Sequence, residues 1–117
     1  MSLKVEDVMV ANLITIEAGA SARKAAELMN RHDIGCLIVV NNGTPIGIVT
    51  ERDMLKRVML QVRDPKRTHV SYIMSKPLIT TGPETDLRDA VGLMNERRIK
   101  KLPVVKDGQL LGLISVT

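Results

Sequence analysis

The sequence predicts a mixed α+β, or α/β, fold made of two β-α-β-β-α units related by a pseudo-two-fold axis, the second lacking its closing helix. Three observations carry this expectation. The chain matches itself at a shift of 65 residues, with 16 identities across the 48 positions that pair Val5–Arg52 with Val70–Thr117. Each copy holds one stretch with helical spacing and two apolar, β-branched runs bracketing a turn, Asn41-Asn42-Gly43 in the first and Asp107-Gly108 in the second. At 117 residues, 44% hydrophobic, the chain can bury one real core, whereas a single copy is too small to bury its apolar face alone.

The elements follow in order. Leu13–Ile16 reads as a short extended segment, and Ser21 is placed to cap a helix from Ala22 to about His32, with Ala22, Ala25, Leu28 and Met29 on one face. His32 and Asp33 fall at its end, before Ile34-Gly35, where a nearby glycine cap is expected. Leu37–Val40 and Ile46–Val49 read as a hairpin, and a closing helix starts after Thr50. The second copy repeats the plan: Leu78–Thr80 extended, an Asp86-capped helix with Leu87, Ala90, Leu93 and Met94 inward, and strands Leu102–Val105 and Leu110–Ser115. One module over residues 1–117 is expected, with repeats at 4–60 and 70–117. The Pro65-containing stretch 61–69 lacks either period and reads as a connector. The counterparts of Asp53 and of Met54–Leu60 would lie past Thr117, so a longer native chain is expected in preference to a partner supplying that helix.

Composition narrows the function. There is no Phe or Trp and a single Tyr, Tyr72, so the aromatic platform of a single-strand nucleic-acid binder is missing. Cys36 is alone, which excludes a disulfide framework or cysteine metal cluster and suits a reducing, cytoplasmic setting. Near Met1 there is no long apolar run, and neither a signal peptide nor a membrane association is expected. The net charge of +4 concentrates at Arg52–Arg67 and at Arg97, Arg98, Lys100, Lys101 and Lys106, either as solvated surface or facing phosphates. No paired carboxylates, activated nucleophile, glycine-rich phosphate loop or metal-ligand spacing is evident, so no enzyme and no metal site are expected.

The stretch Gly47-Ile-Val-Thr50-Glu-Arg-Asp53, its partner Gly112-Leu-Ile-Ser115, the strand entry Ile99-Lys-Lys-Leu-Pro-Val-Val105 and the start Asp7-Val-Met9 together resemble the cystathionine β-synthase (CBS) domain, here as a tandem pair or Bateman module. The resemblance covers nearly the whole chain. It implies a regulatory module that senses an adenosyl ligand, AMP, ADP, ATP or S-adenosylmethionine, between two repeats and passes the signal on through module or oligomer geometry. Thr50 and Asp53 stand where a strand gives way to a helix, so a hydroxyl, a carboxylate and free N–H groups gather at one sheet edge. In proteins of this kind the Asp takes the ribose, and the adenine lies against the other repeat, here Ile79, Thr80 and Ile99, with Lys100 and Lys101 near phosphates. The same residues also admit plainer roles: Thr50 and Asp53 as a capping box, the lysines as a solvated strand edge.

By pseudo-symmetry a second site would use Ile14, Thr15, Ile34, Gly35, Cys36 and Ser115. It lacks the ribose carboxylate, and Gly35-Cys36 replace Lys100-Lys101, so it is expected to be the weaker. Cys36 itself reads as a small buried residue. The resemblance further implies a homodimer formed through helices, with Leu28, Met29, Leu93 and Met94, or Met54, Leu55 and Met59, as candidate faces, and an effector protein as a further partner. Two alternatives stand beside the sensor: a ligand-free oligomerisation or tethering module, and a basic nucleic-acid-binding module.

Overall fold

The computed structural model describes residues 3–116; Met1, Ser2 and Thr117, the last pair of the repeat included, lie outside them. The order is α1 (Val5–Val8), β1 (Thr15–Glu17), α2 (Ala22–His32), β2 (Cys36–Asn41), β3 (Thr44–Thr50), α3 (Glu51–Met54), α4 (Val70–Ile73), α5 (Leu87–Arg97), β4 (Lys101–Lys106) and β5 (Gln109–Ser115). α3 runs on as a π-turn over Leu55–Met59. The two repeats of this mixed α+β fold are therefore both present, and no helix follows β5 among the described residues.

The hairpins form as their turn dipeptides dictate. Asn42 and Gly43 have φ of 52° and 82°, and Asp107 and Gly108 have 52° and 77°. Positive φ at both central residues gives the tight turn whose twist matches flanking strands, and Asn-Gly and Asp-Gly adopt it with little strain. β2 pairs antiparallel with β3, and β4 with β5, each register shifting by a bulge at equivalent positions, Val39/Val40 and Val104/Val105.

The helices also begin where the sequence predicts. The Ser21 hydroxyl accepts from Lys24 N at 3.1 Å, and the Asp86 carboxylate accepts from Arg88 N at 2.9 Å. Their C-terminal ends differ from expectation. The cap is not Gly35 but Asp33, at φ 52°, and Arg98 takes the same left-handed conformation at φ 56°. Asp tolerates this region because its short polar side chain bonds locally.

The extended segments of the two copies also differ. β1 runs parallel to β2 over Thr15↔Ile38, Ile16↔Val39 and Glu17↔Val40, making a three-stranded sheet. Its counterpart, expected at Leu78–Thr80, is reduced to a single bridge, Thr81↔Val104, beside a two-stranded sheet. Proline explains the loss. Ile38 N donates to Ile14 O at 3.3 Å, but the equivalent donor would be Pro103, which has no N–H.

The chain divides into two compact units, one of residues 14–78 and one of 3–13 with 79–116. These are not the sequence repeats, because each repeat receives the lead-in segment of the other. Val10 pairs with Leu113, its N–H and C=O both bonded at 2.9 Å, and Ser75 pairs with Ile48 at 2.7 and 3.1 Å. Lys4 likewise bridges Asp86, and His69 bridges Ser21. Each lead-in closes a core. Val5, fully buried, joins Ala90, Met94, Leu102, Val104 and Ile114, while Val70, Ile73 and Met74 join Ile16, Ala22, Ala25, Met29, Leu37, Val39 and Val49.

Two glycines make the exchange possible. A Cβ on Gly47 would meet Met74 Sδ at 2.6 Å and Ser75 O at 3.0 Å; one on Gly112 would meet Met9 Sδ at 2.8 Å and Val10 O at 2.9 Å. The connector is docked too. Its Thr68 and Pro65 carbonyls accept from Ala22 N and Arg23 N at 2.7 and 3.0 Å, filling the open N-terminus of α2.

Gly112→Ala is expected to destabilise the protein by about 1–3 kcal/mol, because the obstructing atom is a backbone oxygen that cannot turn away. Amide exchange at Val10 and Leu113 should rise with it. Gly92→Ala is the control of opposite sign: it lies inside α5 with nothing within 4 Å of the new Cβ. A gain of roughly 0.5–1 kcal/mol in urea unfolding is expected there.

Candidate functional site

β3 ends and α3 begins at Thr50, and this junction gathers the chemistry expected of it. Asp53 N donates to the Thr50 hydroxyl at 3.2 Å, and Thr50 N donates to Asp53 Oδ2 at 3.0 Å. That is a complete capping box, so the plainer role left open by the sequence is filled in this structure. The carboxylate does more than cap. Its Oδ1 accepts from the Ser75 hydroxyl at 3.0 Å and lies 3.4 Å from Arg57 Nη1. The same Arg57 nitrogen donates to Ile73 O and Met74 O at 2.9 and 3.0 Å.

Asp53 is thus bound on both oxygens and only 6% exposed, one of two buried polar or charged residues among the described residues. A carboxylate so deep is tolerable only because it is hydrogen-bonded and ion-paired. Arg57 follows Asp53 by four residues, a helical spacing that sequence alone could have flagged. Ser75 is 22 residues away, and only its place in the 65-residue register, opposite Val10, could have drawn attention to it.

The other expected residues divide by unit. Ile14, Thr15, Ile34, Gly35 and Cys36 belong with Thr50 and Asp53 to the unit of residues 14–78. There Cys36 faces Thr50 across the hairpin, Glu51 N donates to Gly35 O at 3.1 Å, and the Glu51 side chain occupies the space a Cβ on Gly35 would need. Ile79, Thr80, Ile99, Lys100, Lys101 and Ser115 belong to the other unit. Lys101 faces Ser115 across its hairpin, and Val116 N donates to Lys100 O at 3.0 Å, the exact counterpart of the Glu51–Gly35 bond. Ile79 and Ile99 pack against the core, while Lys100 is exposed and Lys101 half-buried. Each hairpin's open end therefore collects its own set of expected residues.

A cavity of about 350 Å³ opens near α2 and α3, lined by Met29, Ile34 and Met54 together with Asn30, Asp33 and Glu51; neither Thr50 nor Asp53 lines it. Among the described residues no group of three or more His, Cys, Asp or Glu side chains is arranged to hold a metal ion. No helix among them is long and apolar enough to cross a membrane.

Comparison with known proteins places this arrangement. The CBS domain family matches residues 5–60 and again 70–117. The chain is a tandem CBS-domain protein. CBS pairs are generally regulatory modules that bind adenosyl ligands. Over 112 residues the chain is 35% identical to the CBS domain-containing protein YhcV of Bacillus subtilis (strain 168), covering 96% of this chain and 79% of that one. It is 41% identical over 115 residues to a homoserine O-acetyltransferase of Methanocorpusculum labreanum, covering 97% of this chain but 23% of that protein. In relatives named as enzymes, then, the CBS pair is one part of a larger chain. Among solved structures it resembles a hexameric CBS-CP12 protein from bloom-forming cyanobacteria, with a TM-score of 0.91 and 35% identity, covering 98% of this chain and 65% of that one.

Removing the carboxylate should expose how much the junction depends on it. Asp53→Ala leaves Thr50 N and the Ser75 hydroxyl without their acceptor and Arg57 without its ion pair, and a loss of about 2–3 kcal/mol in urea unfolding is expected. Asp53→Asn, which keeps an acceptor for the cap, should lose less than half of that.

Proposed function

We propose that this CBS pair is a non-catalytic regulatory module that binds an adenosyl ligand with Thr50 and Asp53 on the ribose, Ile79, Thr80 and Ile99 on the adenine, and Lys100 and Lys101 toward phosphates. The observation that supports it most is the Gly47-x-x-Thr50-x-x-Asp53 junction, where a carboxylate, a hydroxyl and a helix start stand together at a hairpin's open end. A vicinal diol presents two O–H donors to one carboxylate, a charge-assisted pairing that few other ligand groups match. The second site, with Ile14, Thr15, Ile34, Gly35, Cys36 and Ser115, is proposed to bind more weakly. Gly35 and Cys36 offer no cation, and Val10 stands where the first site has Ser75.

Binding regulates only if the ligand prefers one geometry of the module over another. We propose that this geometry is read out in a homodimer built on the closing helix. Leu55, Met59 and Leu60 are 51%, 70% and 71% exposed, and Val62, just past the π-turn, is exposed at 89%. These four apolar side chains lie exposed within eight residues of chain, a concentration of the kind that marks an interface.

Thermal unfolding with AMP, ADP, ATP, NADH and S-adenosylmethionine tests the ligand. At about 100 times its dissociation constant, the right compound adds roughly 2.7 kcal/mol and raises the midpoint by several degrees. Asp53→Asn should abolish the shift, and no shift with any of the five would overturn the sensor reading. For the dimer, Met59→Glu with Leu60→Glu should halve the mass measured by light scattering without changing the circular dichroism. An unchanged mass would rule this face out.

A further inference from the structure

From the way Asp53 is held, we infer that Ser75 is a latch on the ligand site: its hydroxyl occupies the acceptor position that a ligand hydroxyl needs, and must leave when the site fills. The inference rests on the adenosyl reading above and names a residue that reading does not contain. Its basis is the state of the carboxylate. Oδ2 is taken by Thr50 N, and Oδ1 by the Ser75 hydroxyl at 3.0 Å with Arg57 at 3.4 Å. The Asp53 side chain is 9% exposed. With three partners around it and so little surface open, the carboxylate takes both hydroxyls of a diol only by giving up a present partner.

Of the three partners, Ser75 is the one whose departure costs least locally. The Thr50 N–H bond is part of the helix start, and Arg57 is also tied to Ile73 O and Met74 O. The Ser75 hydroxyl is neutral, freely rotating, and able to turn to water once displaced. It is also an exchange of like for like, one O–H donor for another on the same carboxylate oxygen. At the register-equivalent position Val10 has no hydroxyl, so the latch is confined to the site built on Asp53.

The latch has a direction of action. Ser75 is bonded through its backbone to Ile48, and the chain continues from it through Lys76, Pro77 and Leu78 to Ile79, where it passes into the other compact unit. Releasing the hydroxyl loosens one of the ties that hold this crossing segment to β3 and α3. Occupancy at Asp53 is thereby converted into freedom of the segment from Ser75 to Leu78.

Calorimetric titration of the wild type, Ser75→Ala and Ser75→Thr with AMP, ADP, ATP, NADH and S-adenosylmethionine tests this, together with amide exchange of Ser75 and Ile48 in the wild type with and without ligand. Removing a competing donor to a charged acceptor should tighten binding by roughly tenfold in Ser75→Ala, while Ser75→Thr restores wild-type affinity. In the wild type, ligand should speed exchange at Ser75 and Ile48. Binding that is equal or weaker in Ser75→Ala, or exchange slowed by ligand in the wild type, overturns the latch and leaves the sensor reading standing. No binding by either protein overturns both, and binding by Ser75→Ala alone supports the latch in its strongest form.

Discussion

The structure depends on one reciprocal exchange. The lead-in segment of each repeat is buried not on its own hairpin but on the other, with Val10 against Leu113 and Ser75 against Ile48. Everything else adjusts to that. Gly47 and Gly112 lack a side chain because a methionine and a carbonyl oxygen lie where one would stand. Val5 and Val70 have no exposed surface because each finishes a core made by the other repeat. A unit that borrows part of its core cannot fold well without the donor segment, so the two copies are bound together by more than a linker.

Much of this was legible in the residues, and what was not has a physical reason. The turns at Asn42-Gly43 and Asp107-Gly108, the caps at Ser21 and Asp86 and the bounds of α2 follow from local chemistry that acts over a few residues. The exchange of lead-ins could not be read, because Val5 and Val70 or Met9 and Met74 are the same residue types and satisfy either pairing equally. The π-turn at Leu55–Met59 leaves no mark in an apolar spacing that also suits an α-helix. Pro103 did carry a readable sign: a strand position without an N–H must lose the bond that Ile38 makes.

The candidate site divides along the same line. The Thr50–Asp53 capping box is a contact across three residues and was visible as such. The Ser75 hydroxyl and the Arg57 bonds to Ile73 and Met74 depend on where the lead-in of the second repeat docks, which is long-range information. Their effect is to make the two halves of a nearly symmetric chain unlike. The first repeat has a buried, three-way-bonded carboxylate with a serine beside it; the second has Ser115 and, in the serine's place, Val10. Symmetry of fold here supports asymmetry of chemistry.

The exchange also bears on how the chain is made. Residues 14–78 form a continuous compact unit whose chain is complete once Leu78 has left the ribosome. The lead-in Val5–Val10 precedes that unit but is completed after it, because Val10 pairs with Leu113 in β5. At ordinary elongation rates of about 5–20 residues per second, the hundred or so residues between them take roughly 5–20 s to synthesise. Throughout that interval Val5 and Met9 are without the core that they pack into. Within this module, then, a compact middle is flanked by an earlier segment that stays unsatisfied until β5, synthesised about a hundred residues later, arrives to receive it.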